Sequence, residues 1–575
     1  MRWVTVLFIT LVVILAASGF RTNLTINTKT ARELLFNKKK FLGIRCNTFY
    51  TPSAEELIPP LTGWGNYSWK ITTRSDSAQF YFNQGINMYY AFHIIEARAS
   101  FDKVIHIDPS CAMGWWGKAL AFGPNINDFG YQRPSEAYPS SLKANELKNT
   151  ASPVEKALIE AMMIRYSNDS TKDQNQLNTY YKDQMQKVYF TYGNNADVAA
   201  LYADALMLLH PWDLYKHDFS PKPWTPEIVA VIKNAFTINP KHPGAHHYYV
   251  HALEASANPG EALKSAEFLC RAMPEVAHLT HMPSHIYIRT GYYSKGIEQN
   301  DKALKGYEKY LHYFAPVNEG APLYSLHNTH MKVNCAQMAG SYGQAISAAI
   351  QLKRDIPVFY LSAPGALGNY IQFLYQSPLF TNIRFGKWKE ILAEKTNDSL
   401  LYSAVLQHFG NGIAYARLGR QPEAKNELQL LKNRMENSVL KEPLVPFNSA
   451  YDALVIARDI LTGVIAEQEQ SFSAAISILK DAVKAEDNLI YNEPRDWILP
   501  ARQYLGNALL KAGKYQEAID VFNHDLAINP NNGWDLTGIA AALKKMHQTA
   551  SLQRLQNRIS EAWLIKDVEI NSAVF

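Results

Sequence analysis

Two stretches of the chain, AHHYYVHALE at 245–254 and HLTHMPSHIY at 278–287, carry histidines in register: His247 and His281 are 34 residues apart, as are His251 and His285. Within each stretch the two histidines are four residues apart, which on a helix puts both on one face. A 34-residue offset is the period of a stacked helical hairpin, so two such helices would lie side by side and four imidazoles would converge. Imidazole is the commonest metal ligand and titrates near neutral pH, so this cluster is the leading candidate for chemistry.

Ten of the seventeen histidines fall between His242 and His330. Set against a 34-residue unit, His247, His281 and His330 share position 5 of a first helix, His251 and His285 share position 9, and His278 and His327 share position 2. Positions 2, 5, 9 and 12 form one stripe, which in such repeats faces the concave groove. First helices roughly 8–10 Å apart let imidazoles from both sides close on metal–nitrogen bonds of ~2.0–2.1 Å. The expected ligands are His247, His251, His281, His285 and His330, with His278 and Glu254 as further candidates. Glu254, at position 12, is a ligand, a base or an orienter of His251. Copper or zinc suits such a set, and iron if Glu254 joins; no organic cofactor is indicated.

A metal-free reading uses the same stripe. Buried histidines are often satisfied by tyrosine hydroxyls and carbonyls, and a Tyr/His groove can grip a peptide or partner helix. Tyr248, Tyr249, Tyr287, Arg289 and His327 would then line it, with Arg289 holding an anion or the Glu254 carboxylate. A third reading adds an open coordination position and gives a metal-dependent hydrolase or oxidase with Glu254 as base. Pro283 predicts a kink or turn beside His281. His93 and Glu96 are expected at the surface, and Cys111 with Met113 in hairpin packing. No G-x-S-x-G, phosphate loop or H-E-x-x-H element occurs.

The elements that must position these residues are helical hairpins with Gly or Ala at position 8, Ala at 20, a bulky apolar residue at 24 and Pro at 32. Segment 78–109 supplies Gly85, Ala97, Phe101 and Pro109, and segment 499–530 supplies Gly506, Ala518, Phe522 and Pro530. Further units sit at Gly412 and at Gly463, for eight or nine hairpins with inserted loops. Segment 122–155 reads as a long loop. Segment 211–226, with four prolines and two tryptophans, cannot be continuous helix and reads as a lid over the groove or an external linker.

The balance of 57 basic and 52 acidic residues, net +5, gives no support to nucleic-acid binding. Four scattered cysteines form neither a zinc ribbon nor a disulfide framework. Arg2 and the apolar run from Trp3 to Ala17 read as a cleaved signal or an N-terminal anchor, so export to a periplasm or cell envelope is expected, with membrane contact only through this segment. The organisation expected is 1–19 targeting, 20–75 irregular, 76–240 first hairpins, 241–346 the histidine-rich hairpins, and 347–575 the last hairpins.

The motifs TPEIVAVIKNAF, HPGAHHYYVHALEAS, AHLTHMPSHIYIRTGYY and LHNTH, with Pro211-Trp212-Asp213 and the early SFDKVIHIDPSCAMGWWGKALAFGPNIN, resemble a group of bacterial tetratricopeptide-repeat proteins over about residues 78–395. The resemblance implies an all-α solenoid of the cell envelope, and no activity. His247, His251, Glu254, His278, His281, His285, His327 and His330 fall where the group has the same residues. The chain departs from it at Ala91-Phe92-His93-Ile94, where the group reads Ala-Phe-Asn-His, and at His246, where Asn is usual. The reading reached is an exported repeat scaffold with a histidine-rich groove for a transition metal, and a protein or peptide as its partner.

Overall fold

A computed structural model describes residues 58–128, 131–313 and 321–575; the targeting segment 1–19 and Cys46 lie outside the described residues. The described residues form α- and 3-10 helices without a strand, with two isolated β-bridges, Tyr215–Pro221 and Pro443–Ser449. The protein is an all-α solenoid of tetratricopeptide-type hairpins with inserted loops.

Tight hairpins recur with one device. Asp76–Tyr90 pairs with Ile94–Ile107, Leu401–Arg417 with Gln421–Met435, Ala450–Gln468 with Phe472–Asp487, and Ala501–Lys511 with Tyr515–Ile528. Each pair turns through a left-handed residue, respectively Phe92, Gly419, Gln470 and Gly513, which ends the first helix by the αL route. Glycine takes this conformation without strain; Phe92 at φ 58° does not. Longer connections join further pairs, such as Ala112–Ala121 with Ala137–Leu147 and Pro153–Arg165 with Gln174–Tyr192, so the array exceeds the eight or nine hairpins expected.

The small-residue rule has a steric cause. Phe101 is wedged between helices at Gly85 and Gly117, where an added Cβ would stand 2.7 and 2.4 Å from its ring. Phe522 repeats this between Gly506 and Gly538, at 2.4 and 2.5 Å. Both rings are fully buried, so one aromatic side chain ties three consecutive helices.

Two expectations are corrected. Segment 122–155 is not all loop: Ala137–Leu147 is helical, because Pro139 falls in the first turn, where its missing N–H costs nothing. His93 and Glu96 are buried, not at the surface; their side chains bond at 2.7 Å, and the Trp64 ring packs on His93. Segment 58–75, which has no helix before the first hairpin begins, folds back on that hairpin. There Leu61 N–H bonds to Gln84 and Asn87 donates to the Tyr67 carbonyl.

The last hairpins close against the middle ones. Tyr293 Oη donates to the Pro530 carbonyl at 2.8 Å, Trp534 Nε1 to the Gln337 carbonyl at 3.0 Å, and Arg289 to the Ile528 carbonyl at 3.1 Å. The Asp567 carboxylate accepts from the N–H groups of Tyr342 and Gly343, capping the helix Tyr342–Asp355, whose own Ser341 makes no side-chain cap. No described helix is long and apolar enough to cross a membrane.

Candidate metal centre

The helix Pro243–Leu253 begins at His242, whose Nδ1 accepts from Ala245 N–H at 3.0 Å, with Pro243 in the first position. Gly244 lets this helix approach the first hairpin closely, since a Cβ there would stand 2.5 Å from the Tyr90 ring. The approach brings the Tyr90 carbonyl to 2.6 Å from His247 Nδ1. One turn on, His251 Nδ1 lies 3.0 Å from Glu254 Oε1. Carbonyl and carboxylate only accept, so both imidazoles carry their proton on Nδ1 and present an Nε2 lone pair.

Those lone pairs face each other at 3.1 Å, and His278, on the helix Ala277–His281 that opens the next repeat, adds its Nε2 at 3.2 Å from His247. The Phe92 ring covers the cluster, 4.4 Å from His247 and stacked on His251 and His278. The left-handed backbone at Phe92 thus sits beside the histidines.

A second cluster repeats the first one repeat later. His281 Nδ1 meets Asn300 Oδ1 at 2.6 Å, and the Asn300 amide is oriented because its Nδ2 donates to the Gly296 carbonyl. His285 Nδ1 faces Glu254 Oε2 at 2.5 Å. The Nε2 atoms of His281 and His285 again confront each other, at 2.8 Å, with His327 Nε2 3.4 Å from His285. Pro283 breaks the ladder between Ala277–His281 and Pro283–Thr290, yet Met282 keeps helical dihedrals between them, so the i,i+4 pair stays together.

Each cluster is therefore positions 5 and 9 of one repeat plus position 2 of the next. A third copy would start at His330, but Asn334 stands at position 9; His330 is buried against Phe373, and neither ring nitrogen meets a hydrogen-bond partner. His330 lies outside both clusters.

Facing Nε2 lone pairs repel unless a cation lies between them. Burial pushes His247, His278 and His281 well below the usual histidine range, each further lowered by a neighbouring imidazole; the same two causes act on His327. Protonation is thus disfavoured where the lone pairs meet. Three nitrogens about 2.0–2.1 Å from one ion, at angles near 90–110°, stand roughly 2.9–3.4 Å apart; two contacts in each cluster fall close to that window, and all three ligand atoms of each lie within 4.8 Å of one another. The donor set fits a metal ion at each cluster.

Glu254 joins the two clusters from behind. Burial alone would raise its carboxyl, but His285 and His251 hold it at about 2. Both oxygens face Nδ1 atoms, so Glu254 stands on the orienting side of the rings, away from the converging Nε2 atoms. Arg289 meets the Glu254 backbone carbonyl at 3.0 Å and not its carboxylate, and spends two more bonds on the Ser256 and Ile528 carbonyls. Tyr248 is fully buried beside Phe92, and Tyr287 and Tyr249 are buried near Lys295 and Glu261. His242 and His246 are satisfied on both nitrogens, by Asp197 and Ala245 N–H and by Ser265 and Pro240. Segment 211–226 lies over the site, with Trp212 edge-on to His251 and Tyr215 donating to the Ala252 carbonyl.

Sequence reasoning missed Asn300, Phe92, the Tyr90 carbonyl and Glu493, whose carboxylate lies within 4.8 Å of ligand atoms of Glu254 and His285. Asn300 alone left a signal: it lies one helix beyond His281 and recurs in no other unit. Cys111 and Met113 are packed in the hairpin, with Cys111 Sγ on the Thr72 carbonyl.

The family model described as tetratricopeptide repeat matches residues 500–532. No curated protein matches the chain. Among solved structures, the human IFIT1 dimer with m7Gppp-AAAA is 15% identical over 87% of this chain and 92% of its own, with a TM-score of 0.30. Yeast Tom70 is 12% identical over 85% and 93%, with a TM-score of 0.27. The Cut9–Hcn1 hetero-tetramer of the APC/C is 15% identical over 85% and 78%, with a TM-score of 0.26. Similarities of this size say nothing about what this chain binds. Repeats of this class present extended surfaces on which other proteins bind.

Proposed function

We propose that this protein is a metal-binding repeat scaffold that holds two transition-metal ions, one on His247, His251 and His278 and one on His281, His285 and His327. The reading is carried by the facing Nε2 lone pairs in each cluster, whose Nδ1 protons are held by Tyr90, Asn300 and Glu254. Imidazole-only sets favour copper or zinc. Three protein ligands leave a coordination position for water or a small molecule, where a bound ion would act as a Lewis acid. The chain's own part is to orient His251 and His285 through Glu254, His247 through the Tyr90 carbonyl and His281 through Asn300, to disfavour protonation of His247, His251, His278, His281 and His327 by burial, and to shield the first cluster with Phe92 and Trp212. The apolar run 3–17 supports export to the cell envelope, and a partner protein on the outer helices fits the repeat class.

The test is metal content by mass spectrometry of untagged protein after exposure to copper or zinc. Two ions per chain are expected, one lost in His247→Ala, the other in His281→Ala, and both in the double variant. Protein that takes up neither metal would leave a metal-free ligand or partner groove as the function.

A further inference from the structure

The two clusters hold their rings differently. In the first, His247 stands 4.9 Å from His251 and 5.0 Å from His278, ring centre to ring centre, while His251 and His278 stand 6.3 Å apart. An ion bound along an Nε2 lone pair lies about 3.2 Å from the ring centre, since the bond itself is about 2.0–2.1 Å. Two rings on opposite sides of one ion are then about 6.4 Å apart, so His251 and His278 oppose each other with His247 between them. The angles at the ion come to about 100°, 100° and 160°, which close a full circle and put the ion in the plane of its three nitrogens. In the second cluster the ring centres are 4.7, 4.8 and 5.4 Å apart. The angles there are about 95°, 97° and 115°, so the nitrogens stand to one side of the ion, as three corners of a tetrahedron do.

The Phe92 ring lies 5.8 Å from His251 and 5.9 Å from His278, at 16° and 25° to them. It therefore covers one face of the first plane, with its centre about 5 Å from the ion and within cation–π range. Phe92 holds φ 58° at a turn where two other tight hairpins use glycine, so the backbone carries strain while the ring sits on the ligands. All three ligands are buried neutral imidazoles, and the cost of burying an ion rises steeply with its charge. Zinc(II) takes four ligands in a tetrahedron, and copper(II) takes four or more in a tetragonal set. Neither arrangement forms at the first cluster unless a histidine moves. Copper(I), with a single charge and a filled d shell, is satisfied by two or three donors beside a π face.

Resting on the two-metal reading above, we propose that the first cluster is a copper(I) site, with His251 and His278 opposed, His247 between them and the Phe92 ring on its face. It selects copper(I) against zinc(II) and copper(II). The open fourth position of a three-histidine site belongs to the second cluster, where His327 is partly exposed.

The test uses untagged, metal-stripped His281→Ala protein, which retains only the first cluster, given one equivalent each of copper(I) and zinc(II) without oxygen. Mass spectrometry should find copper bound and zinc released, and the copper should stay silent in electron paramagnetic resonance after exposure to air. Zinc retained in place of copper, or a protein-bound copper(II) signal, would overturn this proposal and leave the two-metal reading standing; uptake of neither metal would overturn both. In the same background Phe92→Gly, which takes the left-handed turn without strain, should weaken copper(I) about tenfold or more in competition with bicinchoninate, and leave zinc no weaker. Equal losses for both metals would reduce Phe92 to packing and overturn the proposal. Should Phe92→Gly not fold, Phe92→Leu, which fills the space without a π face, must shift the same ratio.

Discussion

Replacing Glu254 by glutamine separates orientation from charge and tests the two-cluster reading in one step. In the native protein its Oε1 accepts from His251 Nδ1 at 3.0 Å, and its Oε2 stands 2.5 Å from His285 Nδ1 as an ion-pair contact. A glutamine amide has one oxygen and one NH2, so whichever way it faces, one of these Nδ1–H groups meets a donor. That ring must turn or move its proton to Nε2, where it blocks the ion. Loss of an outer carboxylate behind a ligating histidine costs 10–100-fold in affinity, about 1.4–2.8 kcal/mol. Competition titration against a chromophoric chelator should therefore give two classes of site in Glu254→Gln, one near wild-type affinity and one weakened 10–100-fold. Glu254→Ala, which removes both acceptors, should weaken both. Unchanged affinity at both sites in Glu254→Gln would refute the argument that Glu254 orients the two clusters.

Other expectations follow from single side chains. His330, with both nitrogens unpartnered and burial holding it at about 3, should be replaceable: His330→Leu should raise stability by about 1–2 kcal/mol in chemical denaturation and leave metal content unchanged. In metal-free protein the unfolded chain takes up protons below about pH 6.5 that the buried rings refuse. Stability is then fully present above that pH and falls by about 1.4 kcal/mol per unit per ring as pH drops; His330 contributes from about 6.5 to about 3, so His330→Leu should flatten the slope of melting temperature against pH. Phe522→Ala empties the wedge between Gly506 and Gly538 and should cost about 3–5 kcal/mol, read as a lower denaturation midpoint. Asp567→Ala removes the cap from Tyr342 and Gly343, worth about 1 kcal/mol, and should speed hydrogen exchange in the first turn of that helix.

The hairpins were legible wherever close packing demanded a particular residue. Phe101 and Phe522 must face glycines because no Cβ fits beside the ring, so the pattern is written into the chain at fixed spacing. It was not legible at Ala137–Leu147, where no such wedge marks the helix. The histidine pairs were legible too, since a four-residue step on a helix and a 34-residue step between helices are local regularities. The burial of His93 and Glu96 was not, because what covers them includes Trp64, from a segment without repeat pattern.

What the sequence by itself determined is thus the set of helix faces: which residues share a stripe, and that positions 2, 5 and 9 stack from one repeat to the next. Tertiary structure alone decided which nitrogen of each ring faces inward, since the groups fixing this are a Tyr90 carbonyl 157 residues away, the Asn300 amide and a Glu254 carboxylate shared between two repeats. It also decided that the stripe is enclosed, through contacts such as Arg289 with Ile528, 239 residues apart. The reason is that a superhelix adds up small rotations between neighbouring repeats; each rotation is set by local packing, but where the last hairpins meet the middle ones depends on their sum.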